Sequence, residues 1–394
     1  MSRAERDWVD ALRAQFPVTG QGAFFDIAYE NCGAAYMREA LNQYLQDKTA
    51  LSPFMPKNGG GGKGATVDVI AETRAALAAL LHAPGPENIA FLANTCQAIS
   101  TALMGLRYQP GDNVVVGAME HVSVLMPCLH LQRQGVECRV VGRGSDLWVT
   151  SDALLAAADC HTRVIVVSLV QSCSGYRIDM EHLTREAHKR GILVVTDAIQ
   201  ALGLTEVDVQ KLGVDALAGS PYKGMLGTEG VGFLYCTKEL LCQLEPVFLC
   251  YSEAMDFDRQ TGMVTCTQPL QARKLEAGTL PFMAIYVLQA ALAQMERIGI
   301  ASIAAHVSEC YEYVYRALTE LGFRLATPMD AEHRCNSLLL CTERNNELVQ
   351  FLAERKIYIS SGKTGYVRIS IAPFTVQADM DCLIHAMADW RSQS

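Results

Sequence analysis

The sequence predicts an α/β fold: a large domain built on a mostly parallel sheet flanked by helices, followed by a smaller C-terminal α/β domain. Three observations carry this reading. From about residue 66 to residue 235, apolar runs of strand length alternate with segments of helical periodicity. Several of those runs are apolar without a break, as in 192–196, which suits strands covered on both faces. Past about residue 266 the texture changes to long helical stretches with few strands.

The elements follow in order. Residues 67–81 carry apolar side chains at helical spacing, with Glu72 and Arg74 on another face. A short apolar run at 88–93 reads as a strand and 96–106 as a helix. Next come strand 113–119, helix 122–134, strand 137–141, helix 152–159 and strand 163–170. Helix 179–190 leads into strand 192–196, and strand-like segments 216–219 and 230–235 finish the large domain. The C-terminal part offers helices 284–298 and 303–321 and strands 337–341 and 366–371.

Composition narrows the function classes. With 394 residues, half of them apolar, the chain is long enough for two or three domains without disulfide staples. Its formal net charge of −9 offers no basic face to nucleic acid or to an anionic membrane. The charged N-terminus (Arg3, Glu5, Arg6, Asp7) is unlike a signal peptide, and no apolar run approaches the length of a membrane span, so a cytoplasmic location is expected. None of the 14 cysteines forms a CxxC or another zinc-type spacing, so no metal site is expected. Most of these thiols read as small apolar core residues of a reducing compartment.

Gly59 to Gly62, followed by Lys63, resembles a phosphate loop but lacks its spacing. Lys57 and Gly64 stand where a glycine and a Ser/Thr are required, and no strand precedes. A mobile loop leading into the first long helix is the expectation.

Ligands on an open parallel sheet sit beyond the carboxyl ends of its strands. After 88–93 comes Asn94-Thr95-Cys96-Gln97 at a helix start, where free N–H groups and a hydroxyl make an anion cup. After 113–119 comes Glu120-His121; after 192–196 comes Asp197, with Gln200 beyond; after 216–219 comes Ser220-Pro221-Tyr222-Lys223. Singly these have ordinary readings: Thr95 and Asp197 as helix caps, His121 as a hydrogen-bonded structural histidine, Lys223 as a solvated loop residue. Together they match what pyridoxal phosphate requires: a lysine for a Schiff base, an anion site, a carboxylate for the ring nitrogen and a ring to stack on.

At these residues the chain resembles the class V aminotransferase family, the cysteine-desulfurase-like and isopenicillin N epimerase-like branch of fold-type I pyridoxal-phosphate enzymes. The resemblance rests on Asn94 to Ile99, Glu120-His121, Val194 to Ala201, Ser220 to Gly224 running on to Tyr235, Glu276 to Thr279, and Val367 to Ser370. It implies an N-terminal segment 1–20 packing on the small domain, a cofactor-binding large domain 21–265 and a small domain 266–394. Lys223 would hold the cofactor and act as acid/base at Cα, its pKa lowered by the pyridinium. Asp197 would pair with the ring nitrogen, Gln200 with the ring oxygen, and His121 would stack on the ring. Thr95, Cys96, Ser220 and Tyr222 would cup the phosphate. Thr279 would reach the cofactor phosphate of a second subunit, implying a homodimer, and Arg368 would clamp the substrate's α-carboxylate.

The chain also departs from the family pattern. Tyr222 replaces the usual histidine before the lysine, Cys96 stands where Thr or Ser is common, and Gln171 to Gly175 replaces the desulfurase asparagine and glycine. Residues 357–365 contain no cysteine where desulfurases place their nucleophile. The expectation is therefore a Cβ–S lyase acting on a cysteine-like amino acid by elimination. Alternatives are an aminotransferase, an epimerase, or a regulator that keeps the fold and cofactor.

Overall fold

The computed structural model describes residues 3–49, 65–143, 147–248, 255–266, 270–361 and 365–393. Its centre is a seven-stranded sheet: β1 (Ile89–Leu92), β2 (Asn113–Gly117), β3 (Glu137–Val141), β4 (Thr162–Ser168), β5 (Leu193–Asp197), β6 (Ala216–Gly219) and β7 (Gly232–Cys236). The strand order is β1-β7-β6-β5-β4-β2-β3. Strands β2 to β6 pair in parallel, whereas β7 runs antiparallel to both β1 and β6. That reversal was not anticipated. Its cause is the loop 220–231, which carries no crossover helix and so returns the chain beside β6 in the opposite direction. The place against β1 exists because residue 232 is glycine: a Cβ there would stand 2.5 Å from the backbone of Asn94.

Alternating residues of one strand serve two cores. Val115, Ile165, Val167 and Val194 face one cluster with Phe91 and Phe233; Val114, Val116, Val164, Val166 and Val195 face the other. Both sets are buried, which is why the strand sequences are apolar without a break. Edge strand β1 is pinned from outside its ladder. Buried Glu276 accepts from the Phe91 N–H at 2.9 Å and from Arg74 Nη1 at 2.6 Å, and Arg74 also donates to the Ile89 carbonyl at 2.6 Å.

The N-terminal helix Arg3–Arg13 lies against the C-terminal part of the chain. Arg13 forks onto Asp379 at 2.6 and 2.9 Å, and Phe16 stacks on Phe374 with centroids 4.2 Å apart. Ala23–Phe24 then pairs in parallel with Ile357–Tyr358, and Asp26 bridges to Ser370 of the strand Tyr366–Ser370. That strand is central in a three-stranded antiparallel sheet with Ser337–Cys341 and Ser360–Ser361. The chain next crosses to the large sheet, where the Asn31 N–H donates to the Tyr222 carbonyl at 2.9 Å.

Other differences from the sequence reading are local. The helix expected over 122–134 is α-helical for Val122–His130, then tightens into a 3₁₀ turn ended by Gly135 at φ 80°. Helices Ala35–Thr49, Asn345–Glu354 and Gln377–Ser392, and the hairpin Met255–Phe257 with Val264–Cys266, were not anticipated. The expectation that most thiols are core residues fails. Among the described residues Cys128, Cys236, Cys310 and Cys335 are buried, whereas Cys96, Cys160, Cys242 and Cys382 are exposed on turns and outward helix faces, where so small a side chain costs little in water. The glycine patch 59–62 and residues 362–364 lie outside the described residues. No described helix is long and apolar enough to cross a membrane.

Candidate cofactor site

Five strands deliver side chains to one edge of the sheet. Beyond β1, the helix Thr95–Met104 is capped by Asn94, whose Oδ1 accepts from the Gln97 N–H at 2.8 Å, while Gln97 Oε1 accepts from the Ala93 N–H at 2.7 Å. Asn94 does the capping expected of Thr95 as its ordinary role. The Thr95 hydroxyl is therefore buried with no hydrogen-bond partner, one residue before the Cys96 N–H, the first-turn N–H that Asn94 and Ser220 leave unbonded. The Thr95 N–H donates to Ser220 Oγ at 3.0 Å, which brings the ends of β1 and β6 together. Cys96, one residue on, is exposed.

At the end of β5, Asp197 is 2% exposed. Its Oδ1 accepts from the Ile199 N–H at 2.9 Å and its Oδ2 from Ser123 Oγ at 3.4 Å. Burial pushes its carboxyl up to about 6, against the pull of Lys223. His121 has its expected structural role: Nδ1 accepts from the Ser123 N–H at 3.2 Å and lies 2.8 Å from Ser123 Oγ, capping helix Val122–His130. The ring remains exposed at the strand ends, and Ser123 links it to Asp197. Glu120 is buried beneath, accepting from the Ser168 N–H at 3.0 Å and from the Ser168 hydroxyl. Burial, and to a lesser extent the Asp197 charge, raise its carboxyl to about 7.

Lys223, expected to be solvated on the ordinary reading, is 8% exposed. Burial lowers its ammonium to about 8, although Asp197 and Asp26 both favour the charged form. Its Nζ stands 5.6 Å from the Tyr222 ring centre. Lys274, the other lysine as deeply buried among the described residues, spends its Nζ on the Leu241 and Leu244 carbonyls at 2.7 and 2.8 Å and reads as structural. Arg368 donates from Nη1 to the Ser172 carbonyl at 3.1 Å, and its Nε is buried without a partner. Gln200 Nε2 donates to the Ala28 carbonyl at 2.9 Å. Thr279 is exposed at the end of segment 276–279, whose Glu276 holds β1, and no hydrogen bond ties it to the other predicted residues in the described chain.

Sequence reasoning missed Asp26 and Ser123. Asp26 lies 3.9 Å from Arg368 across 342 residues of chain, with no local motif to mark it. Ser123 had one signal, its position two residues after His121, where a helix start offers an N–H and a hydroxyl.

A family model for aminotransferase class V matches residues 40–383. The chain belongs to the class V aminotransferase family. It is 34% identical over 316 residues to a probable cysteine desulfurase of Methanothermobacter thermautotrophicus, covering 79% of this chain and 76% of that one. The fold matches an apo cysteine desulfurase from Thermococcus onnurineus with a TM-score of 0.86, covering 98% of each chain at 21% identity. It also matches the cystine C–S lyase C-DES, solved with its product cysteine persulfide, with a TM-score of 0.82, covering 95% of this chain and 99% of that one at 20% identity. This class V enzyme thus has the fold-type I α/β architecture and depends on pyridoxal phosphate. Its site fits that group: a buried unpartnered hydroxyl at a helix start, a buried carboxylate and a buried amine of lowered pKa share one sheet edge.

Proposed function

We propose that this enzyme breaks the Cβ–S bond of a cysteine-like amino acid by elimination, releasing a thiol or sulfide with pyruvate and ammonia. The observation that carries the reading is the setting of Lys223, a buried amine lowered to about 8 and within electrostatic reach of both Asp197 and Arg368. One neighbour suits a cofactor ring and the other a substrate carboxylate.

Pyridoxal phosphate, when bound, supplies an imine link to the amino acid and a ring that accepts the electron pair left at Cα. The chain's own residues do the rest. Thr95, Ser220, Tyr222 and the N–H of Cys96 bind the phosphate; Asp197 faces the ring nitrogen, Gln200 the ring oxygen, and His121 covers the ring. Thr279 extends to the phosphate of a second subunit in a homodimer. Arg368 orients the substrate through its α-carboxylate. Lys223 is the acid/base at Cα, and its lowered pKa keeps a useful fraction of free amine near neutral pH. As it removes the Cα proton, the Cβ–S bond breaks, the pair leaves with sulfur, and a Cα–Cβ double bond forms. Addition of water to the resulting aminoacrylate gives pyruvate and ammonia.

The names of the relatives support sulfur chemistry, and the absence of cysteine from residues 357–365 supports loss of the thiol over relay through the protein. The unpaired thiols of the described chain suit the reducing cytoplasm. Incubation with L-cysteine and L-cystine tests the reading. Pyruvate is expected from both, with sulfide released from cysteine and cysteine persulfide from cystine. Alanine with a protein-bound persulfide would make it a sulfur-relay desulfurase. Pyridoxamine consumed by a 2-oxo acid would make it an aminotransferase, and a racemised substrate an epimerase.

A further inference from the structure

Three buried side-chain atoms without hydrogen-bond partners cluster around Arg368, within electrostatic reach of Lys223: Asp26 Oδ1, Arg368 Nε and Ser360 Oγ. Ser360 is the register partner of Arg368 across the small sheet, and Arg368 Nη2 stands 3.9 Å from Asp26 Oδ1. That distance is too long for a hydrogen bond, so the two charges face each other without closing on each other. The backbone holds them in this position. Phe25 is clamped by the Tyr358 carbonyl and the Ser370 N–H, and the Ala28 N–H donates to Ser370 Oγ at 3.0 Å. A buried cation and anion held apart, each with an unused polar atom, leave room for a group that can serve both.

We propose that Asp26 is a placeholder for the substrate's carboxylate: it is the counter-ion of Arg368 in the free enzyme, and a proton is taken up on Asp26 when an α-carboxylate takes Arg368. The inference rests on the reading of Arg368 as the carboxylate clamp. An incoming carboxylate next to an ionised Asp26 would put two anions on one guanidinium in a buried site. Protonation of Asp26 removes that repulsion and turns it into a donor toward the new carboxylate. Burial already raises the Asp26 carboxyl, opposed most by the neighbouring Ser360 hydroxyl and then by the Arg368 and Lys223 charges. Among the described residues, the other charged or titratable groups that act on this cluster are Cys32 on the same segment, Cys173 on Arg368, and Asp197 on Lys223. Asp26 thereby selects for ligands whose carboxylate out-competes it, and makes their affinity depend on pH.

The test uses cofactor-loaded enzyme and 3-mercaptopropionate, a cysteine skeleton without the amino group needed to displace Lys223. Titration calorimetry in buffers of different ionisation enthalpy counts protons taken up on binding. For the unmodified enzyme, uptake approaching one proton is expected, with affinity falling up to tenfold per pH unit above the free-enzyme Asp26 pKa. In Asp26→Asn the uptake is expected to vanish, the pH slope to flatten and binding at high pH to tighten. Unchanged uptake and slope in Asp26→Asn would overturn the proposal and assign the protons to another group. Weaker binding at every pH would also overturn it, since Asp26 would then be a direct ligand contact. The visible absorbance of the bound cofactor reports that each variant is folded and loaded. Arg368→Met tests the underlying reading separately: if it binds the probe as well as the unmodified enzyme, the clamp assignment fails and takes this proposal with it.

Discussion

The lowered pKa of Lys223 has a consequence that can be measured without cofactor or substrate. With a midpoint at about 8, in place of the 10.5 of an ordinary lysine, Lys223 holds roughly a tenth of its population as free amine at pH 7. An ordinary lysine holds about one part in 3,000, so the reactive fraction is greater by about 300-fold. Reductive methylation of the apoprotein across a pH series, read by peptide mass spectrometry, measures this directly, with exposed Lys189 as an internal reference for the reagent. Labelling of Lys223 is expected to rise about tenfold per unit below pH 8 and to level above it. Asp197 favours the ammonium, so Asp197→Asn moves the midpoint down; Arg368 disfavours it, so Arg368→Met moves it up. A Lys223 midpoint near 10.5, or an upward move in Asp197→Asn, would refute the reasoning.

Three further outcomes follow from the same geometry. Because Asn94 caps the helix and the Thr95 hydroxyl has no partner, Thr95→Val leaves urea stability nearly unchanged yet weakens cofactor retention about ten- to hundredfold, the effect of one hydrogen bond to a charged group. Asn94→Ala instead lowers stability by about 1 kcal/mol in the same assay. Arg74→Met strands buried Glu276 and costs about 3–5 kcal/mol in urea unfolding, part of which Arg74→Met with Glu276→Leu recovers. Glu120 holds its proton more tightly folded than unfolded, so its contribution to apoprotein stability falls as pH rises from 4.5 to about 7. The loss is at most about 3 kcal/mol. Glu120→Gln therefore stabilises the apoprotein at pH 8 in thermal unfolding, and the gain shrinks toward pH 4.5.

What could be read in the sequence was whatever depends on neighbours in the chain. The strand cores appear as unbroken apolar runs because both faces of the sheet are covered; Asp197 ends a strand, and Thr95, His121 and Lys223 follow their strands within four residues. The direction of β7 was not readable, since it depends on a loop without a helix and on the close approach of Gly232 to Asn94. Asp26 was not readable either, because its meaning comes from Arg368, far away in the chain. The roles of Thr95 and His121 turned on which neighbour caps which helix. Asn94 frees the first, whereas the second both caps helix Val122–His130 and reaches Asp197 through Ser123. The exposed cysteines were misread because a thiol's apolar character is too weak to decide burial by composition.

The central claim is that Lys223, and no other lysine, carries the cofactor. Borohydride reduction of the cofactor-loaded protein followed by peptide mass spectrometry tests it most directly. The account predicts the phosphopyridoxyl group on Lys223 alone, and no visible cofactor absorbance in Lys223→Ala. A label on another lysine, such as Lys274, the other one deeply buried among the described residues, or no covalent label at all, would contradict it.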